Sequence, residues 1–224
     1  MRDFAAIAER VARERREQDA RLQPLVSESR EAAKALRSGS VPYREGLEIL
    51  RAQATLIRCV PGYFPTPQPL ARRVVQAADL REGQIIVEPQ AGDGAVAREI
   101  RRAGFEPQVI ERDPRLRELL TKQGFNLIGS DFLEYAGEAD RFVMNPPFEN
   151  LQDIDHVRHA FDLLRPRGRV VSVMSQGPFF RTCPKAQSFR QWFESRGRVL
   201  EELQRGTFGV ADTQVAAKLV LLTT

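Results

Sequence analysis

The chain has 224 residues, 42% of them hydrophobic, and a formal net charge of +4, enough for one large domain or for a domain with an extension. No apolar run is long enough to span a bilayer, the N-terminus has no apolar signal region, and Cys59 and Cys183 lack metal-like spacing. These features argue against a membrane protein, a secreted protein and a disulfide- or zinc-stapled domain, and a cytoplasmic location with reduced thiols is expected. The basic balance rests on arginine and fits a polyanionic partner.

Residues 1–58 read as a helical extension in front of a main domain at 59–224. Phe4, Ile7 and Val11 have helical spacing; Pro24 opens a second helix that Gly39 ends; Ser40-Val41-Pro42 opens a third, with Leu47 and Leu50 inward. Arg10, Arg13, Arg15, Arg16 and Arg21 interleave with Glu9, Glu14, Glu17 and Asp19. That mixture suits an ion-paired face packed on the main domain, a second copy or a partner subunit better than a nucleic-acid contact.

A rigid loop follows, Pro61-Gly62-Tyr63-Phe64-Pro65-Thr66-Pro67, in which Thr66 is placed to cap a helix carrying Leu70, Val74 and Val75. Ile85-Ile86-Val87 is a buried strand, ending in the glycine turn Glu88-Pro89-Gln90-Ala91-Gly92-Asp93-Gly94. Val109-Ile110 is the next strand, with Glu111 at its end, and Asn126-Leu127-Ile128 the third, leading to Asp131 and Phe132. Phe142-Val143-Met144 is the fourth. A helix through Val157, Phe161 and Leu164 and a Pro166-Arg167-Gly168 turn precede a fifth strand, Arg169 to Met174. Leu200 to Leu203 and Ala216 to Leu222 supply two more. Strands alternating with helices predict a doubly wound α/β sheet.

The fourth strand runs into Asn145-Pro146-Pro147-Phe148. Two prolines forbid further ladder and hold an extended loop at the carboxyl end of a strand, where open α/β sheets bind ligands. The Asn145 side-chain carbonyl and the Pro146 backbone carbonyl can each accept an N–H from an exocyclic amino group. Acceptors off the ring plane favour a more tetrahedral nitrogen whose lone pair points at an electrophile, while the Phe148 face stacks on the base. The glycine turn alone suits either a dinucleotide or S-adenosylmethionine, with Glu111 on a ribose hydroxyl in both cases. Glu88 favours the second, because a carboxylate there repels a pyrophosphate but accepts from an ammonium. Asp131 does too, as an acceptor for an adenine amino group with Phe132 beside the ring.

From about residue 60 onward these motifs resemble those of the class I S-adenosylmethionine-dependent methyltransferases, specifically the N6-adenine DNA methyltransferases. The resemblance implies a Rossmann-like, seven-stranded, mostly parallel sheet. It also implies a cofactor pocket of Tyr63, Phe64, Pro65, Thr66, Glu88, Pro89, Ala91, Gly92, Gly94, Glu111 with Arg112, Asp131, Phe132 and Asn145. Asn145, Pro146, Pro147 and Phe148 match the catalytic loop, and nucleic acid, DNA first, is the implied partner. Three departures stand out. Phe148 replaces the commoner tyrosine, Gln90 replaces a small residue, and no separate target-recognition domain is expected after the last strand. An RNA base or a protein glutamine amide therefore stays open as target, as does a non-catalytic subunit. Cytosine-C5 chemistry is excluded because the catalytic loop has no cysteine. Phe179, Phe180, Arg181 and Lys185 suit nucleic-acid contact, whereas Phe189, Trp192 and Phe193 have core spacing. His156 and His159, without a third ligand, suggest no metal site and are expected to face solvent.

Deleting residues 1–58 is expected to change solubility or mass and to leave the salt dependence of DNA binding unaltered. Sedimentation and a salt titration of DNA affinity check this; a stable truncated monomer that has lost only DNA affinity would contradict it.

Overall fold

Phe142, Val143 and Met144 are fully buried, so the short apolar run that precedes Asn145 lies inside the molecule. A computed structural model of the chain describes residues 65–204 and 216–224; the helices expected in 1–58, together with Cys59, Tyr63 and Phe64, lie outside the described residues. The strands are β1 (Ile86–Glu88), β2 (Gln108–Ile110), β3 (Asn126–Gly129), β4 (Ala139–Met144), β5 (Leu164–Ser175), β6 (Gly197–Leu203) and β7 (Ala217–Thr223). They form one seven-stranded sheet in the order β3-β2-β1-β4-β5-β7-β6. The first five are parallel neighbours, and β7 runs antiparallel to both β5 and β6. The expected mostly parallel, Rossmann-like sheet is present, with the last strand in the chain inserted between β5 and β6.

Successive residues of a strand point to opposite faces, and the two layers follow from that. On one face Val87, Phe142, Met144, Val170 and Met174 pack with Ile154, Val157 and Ala160 of α4 (Gln152–Asp162) and Phe189 of α6 (Pro184–Glu194). On the other, Ile86, Val143, Val171 and Val173 pack with Leu70 and Val74 of α1 (Gln68–Ala78) and with Val96 and Ile100 of α2 (Ala95–Arg102). Phe189 and Phe193 are buried, as their spacing predicted. Two further helices, α3 (Pro114–Lys122) and the four-residue α5 (Gly177–Phe180), complete the described α-helices. None of the described helices is long and apolar enough to cross a membrane.

Polar groups tie the layers together at a few points. Arg141, 5% exposed, donates Nε–H to the Ala78 carbonyl at 2.9 Å, so a guanidinium closes the last turn of α1 where free carbonyls collect. Gln68 of α1 donates to Glu99 of α2 at 3.0 Å, and the same carboxylate also pairs with Arg102. The expected helix through Leu164 stops at Asp162. Leu164 instead opens β5, opposite Ala139, and Pro166-Arg167-Gly168 becomes a bulge within that strand before pairing resumes at Arg169 opposite Arg141. Arg167 adopts φ +64° there, the left-handed region that lets the chain make its detour.

Asp153, in the first turn of α4, is fully buried. Its Oδ2 accepts from the Ser175 N–H at 2.9 Å and from the Ser175 hydroxyl at 2.8 Å. This pins the helix that follows the Asn145 loop to the end of β5. Asp153→Ala strands two buried donors and is expected to cost about 1–3 kcal/mol in urea unfolding. Asp153→Asn, which keeps an acceptor oxygen, should lose less; equal losses would remove the hydrogen bonds as the cause.

Candidate active site

At the carboxyl end of β1 the glycine turn reverses the chain into α2. Gly94 holds φ +85°, and a Cβ there would sit 3.0 Å from the Phe125 ring and 3.1 Å from Leu120. Only glycine satisfies both the backbone angle and the space. Asp93, 1% exposed, organises the turn, accepting from the Ala95 N–H at 3.2 Å and pairing with Arg98 at 3.1 Å. Gln123 Nε2 donates to the Asp93 carbonyl at 3.0 Å.

Acidic groups line this end of the sheet. Glu88 is 2% exposed, and its Oε2 has no hydrogen-bond partner among the described residues. Burial pushes its carboxyl well above the usual range and nearby Asp93 adds to this, against Arg98 and the Ala97 amide. Glu111, at the end of β2, accepts from the Gly92 N–H at 2.7 Å and from the Asp113 N–H at 2.8 Å. Burial raises its carboxyl too, and the amides of Asp113, Gly92 and Arg112 restrain the rise. Each oxygen keeps a second lone pair for a ligand hydroxyl. Asp131 stands two residues past β3 and accepts from the Leu133 N–H at 3.0 Å; the Arg112 guanidinium, 87% exposed, stands 4.0 Å from its other oxygen.

Phe132 lies 2% exposed in the core, with ring centroids 5.7 Å from Phe142 and 5.9 Å from His156. The expectation that Phe132 lies beside a bound adenine ring meets a side chain packed almost wholly into the core. The expected outward histidines are corrected. His156 is 8% exposed and lies nearly parallel to Phe132, with its Nδ1 2.7 Å from Gln90 Nε2. His159 Nε2 donates to the Tyr135 carbonyl at 2.8 Å. The physical reason is Phe132 itself, whose ring draws both imidazoles onto the inner face of α4.

Asn145 stands one residue past β4, and its Nδ2 donates to Thr66 Oγ1 at 2.9 Å. Thr66 therefore does not cap α1. Pro67 occupies the cap position without a side-chain bond, and the hydroxyl orients the amide instead. The other end of that amide, Oδ1, is buried with no partner among the described residues. Pro146 is buried, Pro147 exposed, and the half-buried Phe148 packs at the margin of the α1 layer. Asn150 and Leu151 follow with φ +52° and +58°, turning the chain sharply into α4.

The neighbouring strand end carries α5. Phe180 is 67% exposed, and Arg181 and Lys185 are exposed beside it, with Lys185 bonded to Asp155 at 2.6 Å. Phe179 departs from the expectation of a surface contact. Its ring turns inward, edge-on to Phe189 and Phe193 at 5.8 and 5.5 Å, with the Lys218 ammonium 5.2 Å from its centroid. Thr66, Glu88, Glu111, Asp131 and Asn145 thus lie along one edge of the sheet, with the Pro65–Thr66 segment crossing to it. Asp93, His156 and Asp153 were not selected from sequence. A carboxylate inside a glycine turn was the only signal among them.

No protein-family model and no curated protein sequence matches the chain. Its fold matches solved structures. The M protein of the type I restriction enzyme EcoKI superposes with TM-score 0.59 at 16% identity, covering 80% of this chain and 47% of that one. The chain thus spans about half the length of that subunit. A Listeria monocytogenes protein provisionally described as a class I S-adenosylmethionine-dependent methyltransferase gives 0.60 at 13% identity, covering 81% and 67%. The 23S rRNA methyltransferase ErmE gives 0.54 at 19%, covering 72% and 70%. The fold is that of the class I methyltransferases.

Burial is the main reason the His156 imidazole is depressed from 6.5 to about 4; Asp131 and Asp155 oppose the shift, and His159 and Arg112 add to it. Since the folded value lies below the unfolded one, full stability holds above pH 6.5 and falls away as the unfolded chain alone takes up the proton. The loss by pH 5 is expected to be about 2 kcal/mol from this group. Urea unfolding at pH 7 and pH 5 should show a smaller difference for His156→Phe than for the wild type; an unchanged difference would acquit His156.

Proposed function

We propose that the chain transfers the methyl group of S-adenosylmethionine to the N6 amino group of adenine in DNA. The observation that carries this reading is the Asn145 amide. Its nitrogen is committed to Thr66, which leaves Oδ1 as a buried acceptor at the end of a central strand. A buried acceptor without a donor is costly, by about 1–3 kcal/mol, so the arrangement favours a ligand that brings an N–H. An exocyclic amino group does so, and it is drawn toward tetrahedral geometry when Asn145 Oδ1 and the Pro146 carbonyl each take one hydrogen.

The residues at the β1 end fit the cofactor on independent grounds. Glu88 is a buried carboxylate whose Oε2 lacks a partner, and an ammonium supplies both the hydrogen bond and the charge that burial demands. Glu111 has lone pairs left for ribose hydroxyls, and Asp131 for an adenine amino group. The sulfonium of S-adenosylmethionine supplies an activated methyl. The chain's own contribution is to place the acceptor nitrogen and to stabilise the charge developing on it, with Asn145 and Pro146 as preorganised dipoles. A duplex target has its adenine flipped out of the stack, at a cost of a few kcal/mol. Phe148 offers that base a stacking face, and Phe180 with Arg181 and Lys185 offers the strand a stacking and phosphate-binding surface on the neighbouring loop.

The Pro65-Thr66-Pro67 segment ahead of the glycine turn supports DNA adenine as the first reading. Phe148 in place of tyrosine supports a second, an amino group on an RNA base. Asn145→Ala is expected to keep cofactor affinity while methyl transfer falls by about 10²–10³-fold, and Asn145→Asp should retain some activity. Phe148→Ala should weaken target engagement by about 1–3 kcal/mol, and Phe148→Tyr should be tolerated. Transfer of tritiated methyl to duplex DNA, single-stranded DNA, RNA and protein in parallel checks both points. Label in RNA or protein alone overturns the DNA reading, and a cofactor-bound Asn145→Ala protein at wild-type rate overturns the mechanism.

A further inference from the structure

Gln90 is unaccounted for by the roles assigned so far. It stands in the glycine turn with one end of its amide fixed and the other unused. Nε2 lies 2.7 Å from His156 Nδ1, which links the turn to α4 across 66 positions of sequence. His156 cannot swing away, because its ring is pressed against Phe132 and it is 8% exposed. A neutral imidazole whose Nδ1 faces an amide nitrogen acts as the acceptor, so the Gln90 NH₂ is spent there. Oε1 is left buried, with no partner among the described residues.

Four buried side-chain atoms share that condition: Glu88 Oε2, Gln90 Oε1, Asn145 Oδ1 and Arg158 Nε. Arg158 belongs elsewhere, its guanidinium lying over the Trp192 ring. The three oxygens stand at or just past the carboxyl ends of two neighbouring strands, β1 and β4. β1 and β4 pair with Ile86 opposite Arg141 and Val87 opposite Phe142. Past the strand ends, Gln90 follows Glu88 by two positions in the glycine turn and Asn145 follows Met144 by one. Neighbouring strand ends therefore each carry unpartnered acceptors, which a molecule rich in N–H or O–H donors would satisfy.

We propose that Gln90 is a further cofactor-binding residue, its side-chain oxygen accepting a hydrogen bond from the bound nucleoside cofactor, and that His156 is the positioning residue that aims it. The inference rests on the methyltransferase reading above, and it assigns to this chain's own glutamine a contact that a small residue at position 90 could not make. Two donors on such a cofactor have the right chemistry, the ammonium of its amino-acid half and the amino or hydroxyl groups of its nucleoside half.

The test is calorimetric titration of the full chain with S-adenosylhomocysteine and with 5′-methylthioadenosine, which lacks the amino-acid half. Gln90→Met keeps the side-chain length and removes both polar atoms, and thermal melting without ligand verifies that the variant is folded. The expected result is a loss of about tenfold in affinity for S-adenosylhomocysteine. Retained affinity for 5′-methylthioadenosine then places the donor on the amino-acid half, and a matching loss places it on the nucleoside half. Gln90→Met that binds both ligands as the wild type does overturns the proposal. His156→Phe preserves the ring contact with Phe132 and removes the anchor, so it should weaken the same ligand, and the double variant should be no worse than Gln90→Met alone. Strictly additive losses would overturn the positioning role. A wild-type chain that binds neither ligand defeats the parent reading rather than the assignment of Gln90 within it.

Discussion

The architecture of the site depends on one steric fact: Pro146 and Pro147 have no N–H to add to a sheet. β4 lies between β1 and β5 and is buried on both faces, so without them the ladder could run on. It ends instead at Met144, and Asn145 is left at the lip of the sheet with its side chain free to turn toward Thr66. β5, its neighbour, runs on to Ser175, where Asp153 grips it. The loop is thus fixed at both ends, by the strand it leaves and by the helix it enters. Between those fixed points two left-handed residues turn the chain, and at Leu151, unlike Asn150, this conformation costs about 1–2 kcal/mol. Such strain persists only where the surroundings overdetermine it.

Charge is sorted by depth. Inward, the strand ends present Glu88, Glu111, Asp131 and the oxygens of Gln90 and Asn145, and the turn's own Gly92 N–H is consumed by Glu111. An interior so rich in acceptors repels a pyrophosphate and welcomes a cation with many hydrogens to donate. Outward, Arg112, Arg181 and Lys185 give the opposite preference. A polyanion is drawn to the rim while the pocket discriminates against it. In the proposed methyl transfer, this gradient would keep the polyanionic target at the rim and the cationic cofactor inside, without any wall between them.

Much of this was legible in the chain, because the apolar runs of β1, β2 and β4 are each followed directly by an acid or amide. Period and turn chemistry located Ile86–Val87, Val109–Ile110 and Phe142–Met144, and with them Glu88, Glu111 and Asn145. What stayed hidden was the partner of each polar atom. Thr66 looked like a helix cap because its distant neighbour, 79 positions away, leaves no trace in local sequence. His156 and His159 looked solvent-facing because nothing in the sequence of α4 announces the Phe132 ring beneath them. The insertion of β7 between β5 and β6 was also beyond reach, since strand order in a sheet is set by packing and not by sequence order. Leu164 fits a helical stripe, yet the left-handed Arg167 and the bulge around it draw it into β5.

That insertion of β7 makes β6 an outer strand of the sheet. Val199 and Leu200 on it are 38% and 39% exposed, and bare apolar edges invite another chain to pair. The ladder of β6 against β7 slips between Val199 and Glu201, next to those two residues. Arg198, Glu201 and Glu202 surround them with charges of both signs, and Glu202 is tied to Lys218 while Glu201 is tied to Arg73. An incoming strand would meet a shifted hydrogen-bond rhythm and would have to break ion pairs to continue. The irregularity opposes sideways growth of the sheet at this edge, so among the described residues the fold carries its own defence against aggregation there.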